Sequence, residues 1–489
     1  MDHTNTKHPV SLRIFFATEM WERYGFYVVQ TLLALFLSLH FKWDDKNVYE
    51  LVGSFTALTY VSPVIGGWIA DHLIGQKRSI LAGAVILFFC YLALAWVAFD
   101  SEAAKATLST LGLTAALAGI AMGTGLLKPN ISSLLGNEYP EGSSQRESGF
   151  TIFYMGITTG IILGSTLPGL LNFYFGWPIS FLSAAFGMII AIAVFVFGIY
   201  RYQIADYHPY TFHFKKTLLA IGMMLLLWVV SFYILHYPAL ADSVFISIVL
   251  LSIGYFIYAA KNEPSREKSR QIWVIGLLCI ISIMFWALYF QMFLSLTLFI
   301  ARVVKPTLLG IQFPPPYYVS IQSLGAIMFG VFLSRRHSHP NKIQRGVESG
   351  NKFVFAMFFM TMGYMLISLV CHMGSATELM SPLYIIPVYL IFSLAELYLY
   401  PVGLSAITVL ATRKKVSTMM GIFFVSLGVG GYLSGKLAFL TAIPAGELSA
   451  MALKAHYAAA FSKLMYILLG AMCVCFLLNR LIRHLLIQK

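Results

Sequence analysis

Residues 12–40 read LRIFFATEMWERYGFYVVQTLLALFLSLH, an apolar stretch that nevertheless contains Glu19, Glu22 and Arg23. A helix that crosses a bilayer needs about 20 mostly apolar residues, and this stretch is long enough. Charged side chains at membrane depth are costly and usually mark a functional site. The stretch therefore predicts a membrane-spanning first helix that carries a buried charged site.

The rest of the chain repeats the apolar pattern. Of its 489 residues, 59% are hydrophobic and 11% are charged, and the mean hydropathy is +0.78. Soluble domains are about 45–50% apolar and about 25% charged. The sequence therefore predicts an all-α membrane protein with fourteen spans. The candidates lie near 12–40, 49–70, 79–98, 110–134, 150–172, 177–199, 216–236, 242–260, 271–301, 317–334, 353–371, 381–411, 418–441 and 457–482.

The candidate spans fall into groups of six, two and six. Many transporters pair two six-helix halves around a site near the middle of the membrane. We therefore predict an N-terminal bundle over residues 1–205, two extra helices with their linkers over 206–270, and a C-terminal bundle over 271–489. The middle pair, at about 216–260, is expected to pack as a hairpin outside the core.

The basic residues predict the orientation. With both termini cytoplasmic, most of the 33 lysines and arginines fall in cytoplasmic loops, as the positive-inside rule requires. The net charge of +13 is then a topology signal and gives no reason to expect nucleic-acid binding. Residues 1–13 are polar and do not resemble a cleavable signal. We expect a multi-pass protein of the cell inner membrane.

Five side chains of the first span share one helical face. Glu19, Glu22, Arg23, Tyr27 and Gln30 follow at i, i+3, i+4, i+8 and i+11, a spacing that aligns side chains along a helix. Two carboxylates beside one guanidinium can take up or release a proton near neutral pH. The alternative is a static stripe of ion pairs that holds helices together.

Three more charges lie inside predicted spans. Lys128, in GTGLLKPN, can pair with a carboxylate of the first span or with an anionic substrate, or else extend to the interface. Glu396, in FSLAEL, suits a cationic group of a substrate, and the alternative is a hydrogen bond to Ser393 on the same helix face. For Lys436, extension to the interface is the favoured interpretation.

Aromatic residues also occur within the spans. Tyr60, Tyr154 and Trp286 can line a cavity. The alternative for each is helix packing or an aromatic belt at the membrane interface.

Several motifs together resemble those of the proton-dependent oligopeptide transporter (POT) family of the major facilitator superfamily. Glu19-x-x-Glu22-Arg23 resembles its E-x-x-E-R motif, and residues 67–71 (GWIAD) resemble the loop signature of the superfamily. Residues 153–160 (FYMGITTG) resemble its F-Y-x-x-I-N-x-G signature. The seventh and tenth core helices of the family are matched by the following residues: Phe285, Trp286, Gln291, Ser393, Glu396, Pro401, Gly403 and Leu404.

This resemblance implies a major facilitator fold of two six-helix bundles plus two extra transmembrane helices. It implies a proton-coupled symporter that imports di- and tripeptides, or a related small zwitterionic or carboxylate-bearing solute, by alternating access. The alternative is a POT-like transporter of a non-peptide metabolite such as a polycarboxylate siderophore. We expect no cofactor and no metal, with the proton gradient as the energy source. The expected partners are the solute, protons and the lipid bilayer, and the protein is expected to be monomeric.

The resemblance also implies roles for individual residues. Glu19, Glu22 and Arg23 would couple protons, Arg23 and Lys128 would meet the substrate carboxylate, and Glu396 would meet its amine. The full set of predicted substrate-binding residues is Arg23, Tyr27, Gln30, Tyr60, Lys128, Tyr154, Thr158, Trp286, Gln291, Gly325, Ser393 and Glu396.

Four positions depart from the family pattern. Thr158 and Gly325 stand where the family usually has Asn, Phe423 where Trp is common, and Gln30 where some members have Arg. An amide offers a donor and an acceptor, and neither Thr nor Gly replaces both. The departures favour a ligand richer in carboxylates over a plain peptide backbone.

Two other classes of function fit the sequence less well. An ion channel is disfavoured because no repeat of pore-lining groups is visible. A membrane-embedded enzyme is disfavoured because no metal motif, nucleophile elbow or phosphate loop accompanies the buried charges.

Overall fold

The computed structural model describes residues 8–99, 107–139, 144–204, 206, 213–334, 342–373, 379–412, 415–444 and 449–487. Within these ranges the chain is almost wholly helical. The helices are α1 (Ser11–Leu35), α2 (Asp45–Ile69), α3 (Gln76–Phe99), α4 (Thr107–Asn137), α5 (Ser144–Phe175), α6 (Trp177–Tyr202), α7 (Phe214–His236), α8 (Pro238–Lys261), α9 (Arg266–Tyr289), α10 (Ser295–Val303), α11 (Pro316–Ser334), α12 (Lys342–Met373), α13 (Ile386–Leu410), α14 (Val416–Ala438) and α15 (Ala450–Ile487).

The predicted fold class is confirmed. Fourteen of the described helices are long, and thirteen segments are apolar enough to cross a membrane. The helix outside that set is α1, whose polar and charged residues lower its hydropathy. Each of α1 and α2 continues into a π-helical turn, Phe36–His40 and Ala70–Ile74.

Two local features differ from the predicted spans. The span predicted over 271–301 is broken, because α9 ends at Tyr289, a 3₁₀ turn covers Phe290–Phe293, and α10 follows. A short antiparallel hairpin then pairs β1 (Thr307–Leu308) with β2 (Ile311–Gln312). Its tight turn places Leu309 and Gly310 at positive φ.

The described chain divides into two compact units. The first contains the residues up to Lys42 and Leu58–Tyr237. Within it α1 packs against α5 and α6, and α3 packs against α4 and α6. Gly83 of α3 lies close to the backbone of α4, since a Cβ there would approach the Gly123 carbonyl to 2.7 Å. Small residues at such crossings let membrane helices pack closely.

The second unit contains Trp43–Ala57 and the chain from Pro238 onward. In it α9 packs against α14, α11 against α13, and α12 against α13 and α15. The first half of α2 belongs to this unit and crosses α14 at glycines. A Cβ at Gly53 would approach the Gly435 Cα to 2.8 Å.

The two helices predicted to form a middle hairpin belong to different units. In the first unit, α7 lies against α4, where the Trp228 indole donates to the Ala115 carbonyl at 3.1 Å. In the second unit, α8 lies against α9 and α14, and Phe245 stacks on Tyr432. Neither helix supplies a predicted site residue. The division into residues 1–205, 206–270 and 271–489 stays a prediction.

Candidate functional site

The charges predicted on the first span form a buried cluster on α1. The Arg23 guanidinium donates through Nε to Glu22 Oε2 at 2.5 Å and through Nη2 to Glu22 Oε1 at 2.7 Å. Glu19 lies farther away, with Oε1 3.6 Å from Arg23 Nε. At most 4% of any of the three residues is exposed. Such a two-bond carboxylate–guanidinium pair is among the strong interactions that a protein can form.

Glu19 is the less completely satisfied carboxylate of this cluster. Among the described residues its Oε2 atom is buried without a hydrogen-bond partner. A buried polar atom without a partner is costly, and in native proteins it needs an explanation. A proton on Glu19 would remove its charge and so lower the cost of burying this oxygen.

Three glycines of α5, two of them in the FYMGITTG signature, let this helix approach α1 closely. Gly156, Gly160 and Gly164 lie along the face of α5 that meets α1. A Cβ at Gly160 would lie 2.8 Å from the Arg23 Cβ, so α5 passes the charged residues at close range. The Thr158 hydroxyl, by contrast, donates to the Tyr154 carbonyl of its own helix at 3.1 Å.

Lys128 lies on α4, with its Nζ atom 5.0 Å from the centre of the Tyr60 ring. A cation over an aromatic face is stabilised by the negative charge of the ring surface. Within its own unit Lys128 forms no ion pair with a described residue, and the predicted pairing with a carboxylate of the first span is not seen. Helix α4 approaches α2 closely beside it, since a Cβ at Gly125 would lie 2.7 Å from the Ser62 side chain.

The remaining predicted residues of the first unit differ in exposure. Gln30 is buried on α1, and Tyr27 and Tyr60 are partly exposed. Tyr154 is 51% exposed on α5, whereas Thr158 is buried. The structure thus brings Glu19, Glu22, Arg23 and their neighbours together on α1, and Tyr60 together with Lys128.

In the second unit, neutral groups from two other helices hold Glu396. The Gln322 amide of α11 donates to Glu396 Oε2 at 2.6 Å, and the Tyr289 hydroxyl of α9 donates to the same oxygen at 3.0 Å. The alternative of a bond to Ser393 is wrong. The Ser393 hydroxyl donates instead to the Gln322 carbonyl at 2.6 Å, so it positions the residue that binds Glu396.

Three other predicted residues of this unit have structural contacts. Trp286 is buried, and among the described residues its indole nitrogen has no hydrogen-bond partner. Gln291 is fully buried at the break between α9 and α10, where its amide donates to the Ser434 carbonyl at 2.8 Å. Gly325 allows a close crossing, because a Cβ there would lie 2.5 Å from the Ser393 hydroxyl. A larger side chain at this position, such as the family's usual Asn, would require the side chains of Ser393 and Leu390 to move.

The sequence did not predict two ion-pair clusters in the second unit. In the first, Asp45 accepts two bonds from Arg302, at 2.7 and 2.8 Å, and Arg302 also donates to the Tyr457 hydroxyl. No local sequence pattern joins positions so far apart in the chain.

The second cluster centres on Lys436 of α14. Its Nζ atom lies 2.6 Å from Glu50 Oε1 and 2.9 Å from Asp242 Oδ1. Extension of Lys436 to the membrane interface stays a prediction, and the structure adds that its side chain forms these two ion pairs. Two carboxylates, one from α2 and one from α8, thus lie close enough to form ion pairs with the ammonium group.

The model of the POT family, PTR2, matches residues 77–453. This chain belongs to the POT family. The resemblance that the motifs predicted is therefore confirmed, and the chain is a multi-pass transporter of the inner membrane. The family match covers Lys128 and Glu396, whereas the charged cluster of α1 precedes it.

Named relatives agree with membership of the POT family. Dipeptide and tripeptide permease A of Klebsiella pneumoniae (strain 342) is 28% identical over 443 residues, which cover 90% of this chain and 85% of the permease. Dipeptide and tripeptide permease B of Edwardsiella piscicida is 27% identical over 461 residues, with 93% and 91% covered.

A solved structure of a proton-dependent oligopeptide transporter shows the same fold. It superposes with a TM-score of 0.83 over 97% of this chain and 99% of its own length, at 24% sequence identity. The likeness therefore confirms the predicted architecture of two six-helix bundles with two extra helices.

Proposed function

We propose that the protein is a proton-coupled symporter that imports di- and tripeptides by alternating access. Membership of the POT family and the names of the permease relatives support this function. The observation that carries the proposal is the arrangement of buried charge. Two carboxylates share one guanidinium on α1, a lysine lies on α4 of the same unit, and a single carboxylate lies on α13.

The proton would act on the pairing of Arg23. In the structure the Arg23 guanidinium donates two hydrogen bonds to the Glu22 carboxylate. A proton on Glu22 would remove the charge that binds the guanidinium, and Arg23 could then donate to a substrate carboxylate. Glu19, with its unpartnered oxygen, would hold a proton beside this pair. Deprotonated Glu22 and the substrate carboxylate would thus compete for the same guanidinium, so proton binding would favour substrate binding.

The two ends of a peptide would meet opposite charges. Arg23 and Lys128 would bind the carboxylate through charge-assisted hydrogen bonds, and Glu396 would bind the amino group. Tyr289 and Gln322 already donate to Glu396 Oε2, and they would keep the carboxylate oriented when a cation arrives. The other predicted residues would shape the site: Tyr27, Gln30, Tyr60, Tyr154, Thr158, Trp286, Gln291, Gly325 and Ser393.

The proposal includes the remaining expectations. The proton gradient would be the energy source, with no cofactor and no catalytic reaction. The transporter would act as a monomer, with both termini in the cytoplasm.

The decisive experiment is uptake by proteoliposomes under an imposed pH gradient. We expect labelled dialanine to accumulate when the inside is alkaline, and a protonophore to abolish accumulation. The inward proton flux should rise on addition of the peptide.

Competition in the same assay separates the substrates. A dipeptide panel should compete with dialanine, whereas citrate and other polycarboxylates should compete poorly. Strong competition by polycarboxylates together with weak dipeptide uptake would contradict the peptide assignment and favour the non-peptide alternative.

A further inference from the structure

An open apolar groove of about 490 Å³ runs between α12 and α15. Its volume lies in the range of small-molecule sites, roughly 300–1,000 Å³. It contains none of the residues predicted to bind substrate. The lining residues are Val354, Phe355, Phe358, Met472, Cys473, Phe476 and Leu477.

Basic side chains lie at one end of this groove. Helices α12 and α15 are antiparallel, so the beginning of α12 lies beside the end of α15. There Asn351 accepts a hydrogen bond from the Asn479 amide at 2.9 Å and another from Arg483 at 2.6 Å. The Arg480 guanidinium lies 5.0 Å from the ring centre of Phe476, a residue of the groove itself. The groove and the basic residues are therefore continuous.

A third cation comes from the facing helix. Lys352 is exposed on α12, one turn before Phe355, which lines the groove. Residues three apart lie on neighbouring positions of a helix face. Lys352, Arg480 and Arg483 thus bring three positive charges to the same end. We name these three residues the basic end of the groove.

The positive charge of the basic end is not neutralised by the described part of the protein. Within those residues, no carboxylate lies within ion-pair distance of Lys352, Arg480 or Arg483. All three side chains are exposed. A concentration of unpaired cations next to an exposed apolar groove favours a ligand with an anionic head and an apolar tail.

We propose that this groove binds an anionic phospholipid, with an acyl chain along the groove and the phosphate at the basic end. Guanidinium groups match phosphate oxygens through paired hydrogen bonds, and basic pockets between membrane helices bind anionic head groups. The acyl chain would contribute little selectivity, since the tails of all phospholipids are similarly apolar. The head group would decide which lipid binds.

Native mass spectrometry of the delipidated full-length protein tests this proposal with dioleoyl phosphatidylglycerol and dioleoyl phosphatidylcholine. The two lipids share their chains and differ in charge, so the wild type should bind the anionic lipid more tightly. Each cation near a membrane surface contributes about 1 kcal/mol, or about fivefold in affinity. The Arg480→Gln/Arg483→Gln variant should therefore bind phosphatidylglycerol up to about 25-fold more weakly.

A matched control removes the same charge elsewhere in the unit. Arg266→Gln/Lys268→Gln alters two exposed cations at the start of α9 and should leave phosphatidylglycerol binding unchanged. Equal loss in both double variants, or no loss in Arg480→Gln/Arg483→Gln, would overturn the proposal. Displacement of the lipid by inorganic phosphate alone would overturn it too, because the site would then bind a free anion.

The groove is tested by filling it. Cys473→Trp places a large ring among the lining residues and should weaken binding of both lipids. Val474→Trp adds the same ring to an exposed position outside the groove and should not. If Cys473→Trp bound both lipids as tightly as the wild type and its thermal unfolding were unchanged, the acyl chain would lie elsewhere. That result would contradict the proposal.

Discussion

The charged cluster of α1 and the single carboxylate of α13 both place a carboxylate in the protein interior, and different groups stabilise it in each region. Glu22 is neutralised by Arg23, the next residue of its own helix, through bonds of 2.5 and 2.7 Å. Glu396 is met by uncharged donors, Gln322 and Tyr289, from two other helices. In the α1 cluster, the cation that balances the carboxylates lies on the same helix, so a proton can be exchanged there without a group from another helix. Glu396 accepts from neutral donors only, so no cation of the described residues bonds to it and a cationic ligand can meet it.

This comparison leads to different expectations for loss of charge at the two sites. Removing charge in α1 should uncouple transport from protons. Removing contacts around Lys128 and Glu396 should instead change ligand affinity or stability. The four predictions below test that difference.

The largest effect is expected for Glu22→Gln. Gln keeps the shape of the side chain but cannot carry a proton through a transport cycle. Accumulation driven by a pH gradient should be lost, while exchange of peptide across proteoliposomes at equal pH should persist in part. Full pH-driven accumulation by this variant would show that Glu22 is not the coupling group.

Glu19→Gln is the matched comparison on the same helix. Glu19 approaches Arg23 only to 3.6 Å, so its replacement should impair coupling less than Glu22→Gln. The reverse order would identify Glu19 as the residue whose proton drives transport.

The second prediction concerns Lys128→Ala, which removes a cation of the proposed carboxylate site. A hydrogen bond to a charged group contributes about 1.5–3 kcal/mol, so affinity should fall about 10- to 100-fold. Competitive uptake with a dipeptide and its C-terminal amide checks the cause. The amide should lose much less affinity, and an equal loss for both ligands would place Lys128 away from the carboxylate.

The third prediction tests the packing that positions the donors around Glu396. Gly325→Ala would place a Cβ 2.5 Å from the Ser393 hydroxyl, where α11 crosses α13. Overpacking of this kind costs about 1–3 kcal/mol, so thermal unfolding should occur at a lower temperature. Gly254→Ala in α8 is the control, because a Cβ there meets nothing within 4 Å. Equal stability of the two variants would show that the crossing can relax.

The smallest effect is expected for Tyr289→Phe, which removes one of the two donors to Glu396. A single neutral hydrogen bond contributes about 0.5–1.5 kcal/mol, so peptide affinity should change by less than about tenfold. Proton-driven accumulation should persist, measured in the same proteoliposomes. Loss of coupling in this variant would mean that Glu396, too, takes part in proton transfer.

The sequence alone was enough to predict the membrane fold and the α1 cluster. The length of apolar segments is a local property, and the bilayer demands the same length of each span. Glu19, Glu22 and Arg23 lie within five consecutive residues of one helix, so helical spacing alone predicted their shared face. The E-x-x-E-R motif, combined with the embedded Lys128 and Glu396, was sufficient to predict the family.

Only the tertiary structure decided how the other buried polar groups are satisfied. Asp45 meets Arg302, Lys436 meets Glu50 and Asp242, and Gln291 holds the backbone of α14 rather than standing open for a ligand. Helix α10 also begins only after a break that the hydropathy pattern did not show. A membrane interior offers no water to unpaired groups, so most buried charges and amides are stabilised by a partner within the protein. That partner comes from whichever helix packs alongside, and the spacing of residues along the chain does not encode it.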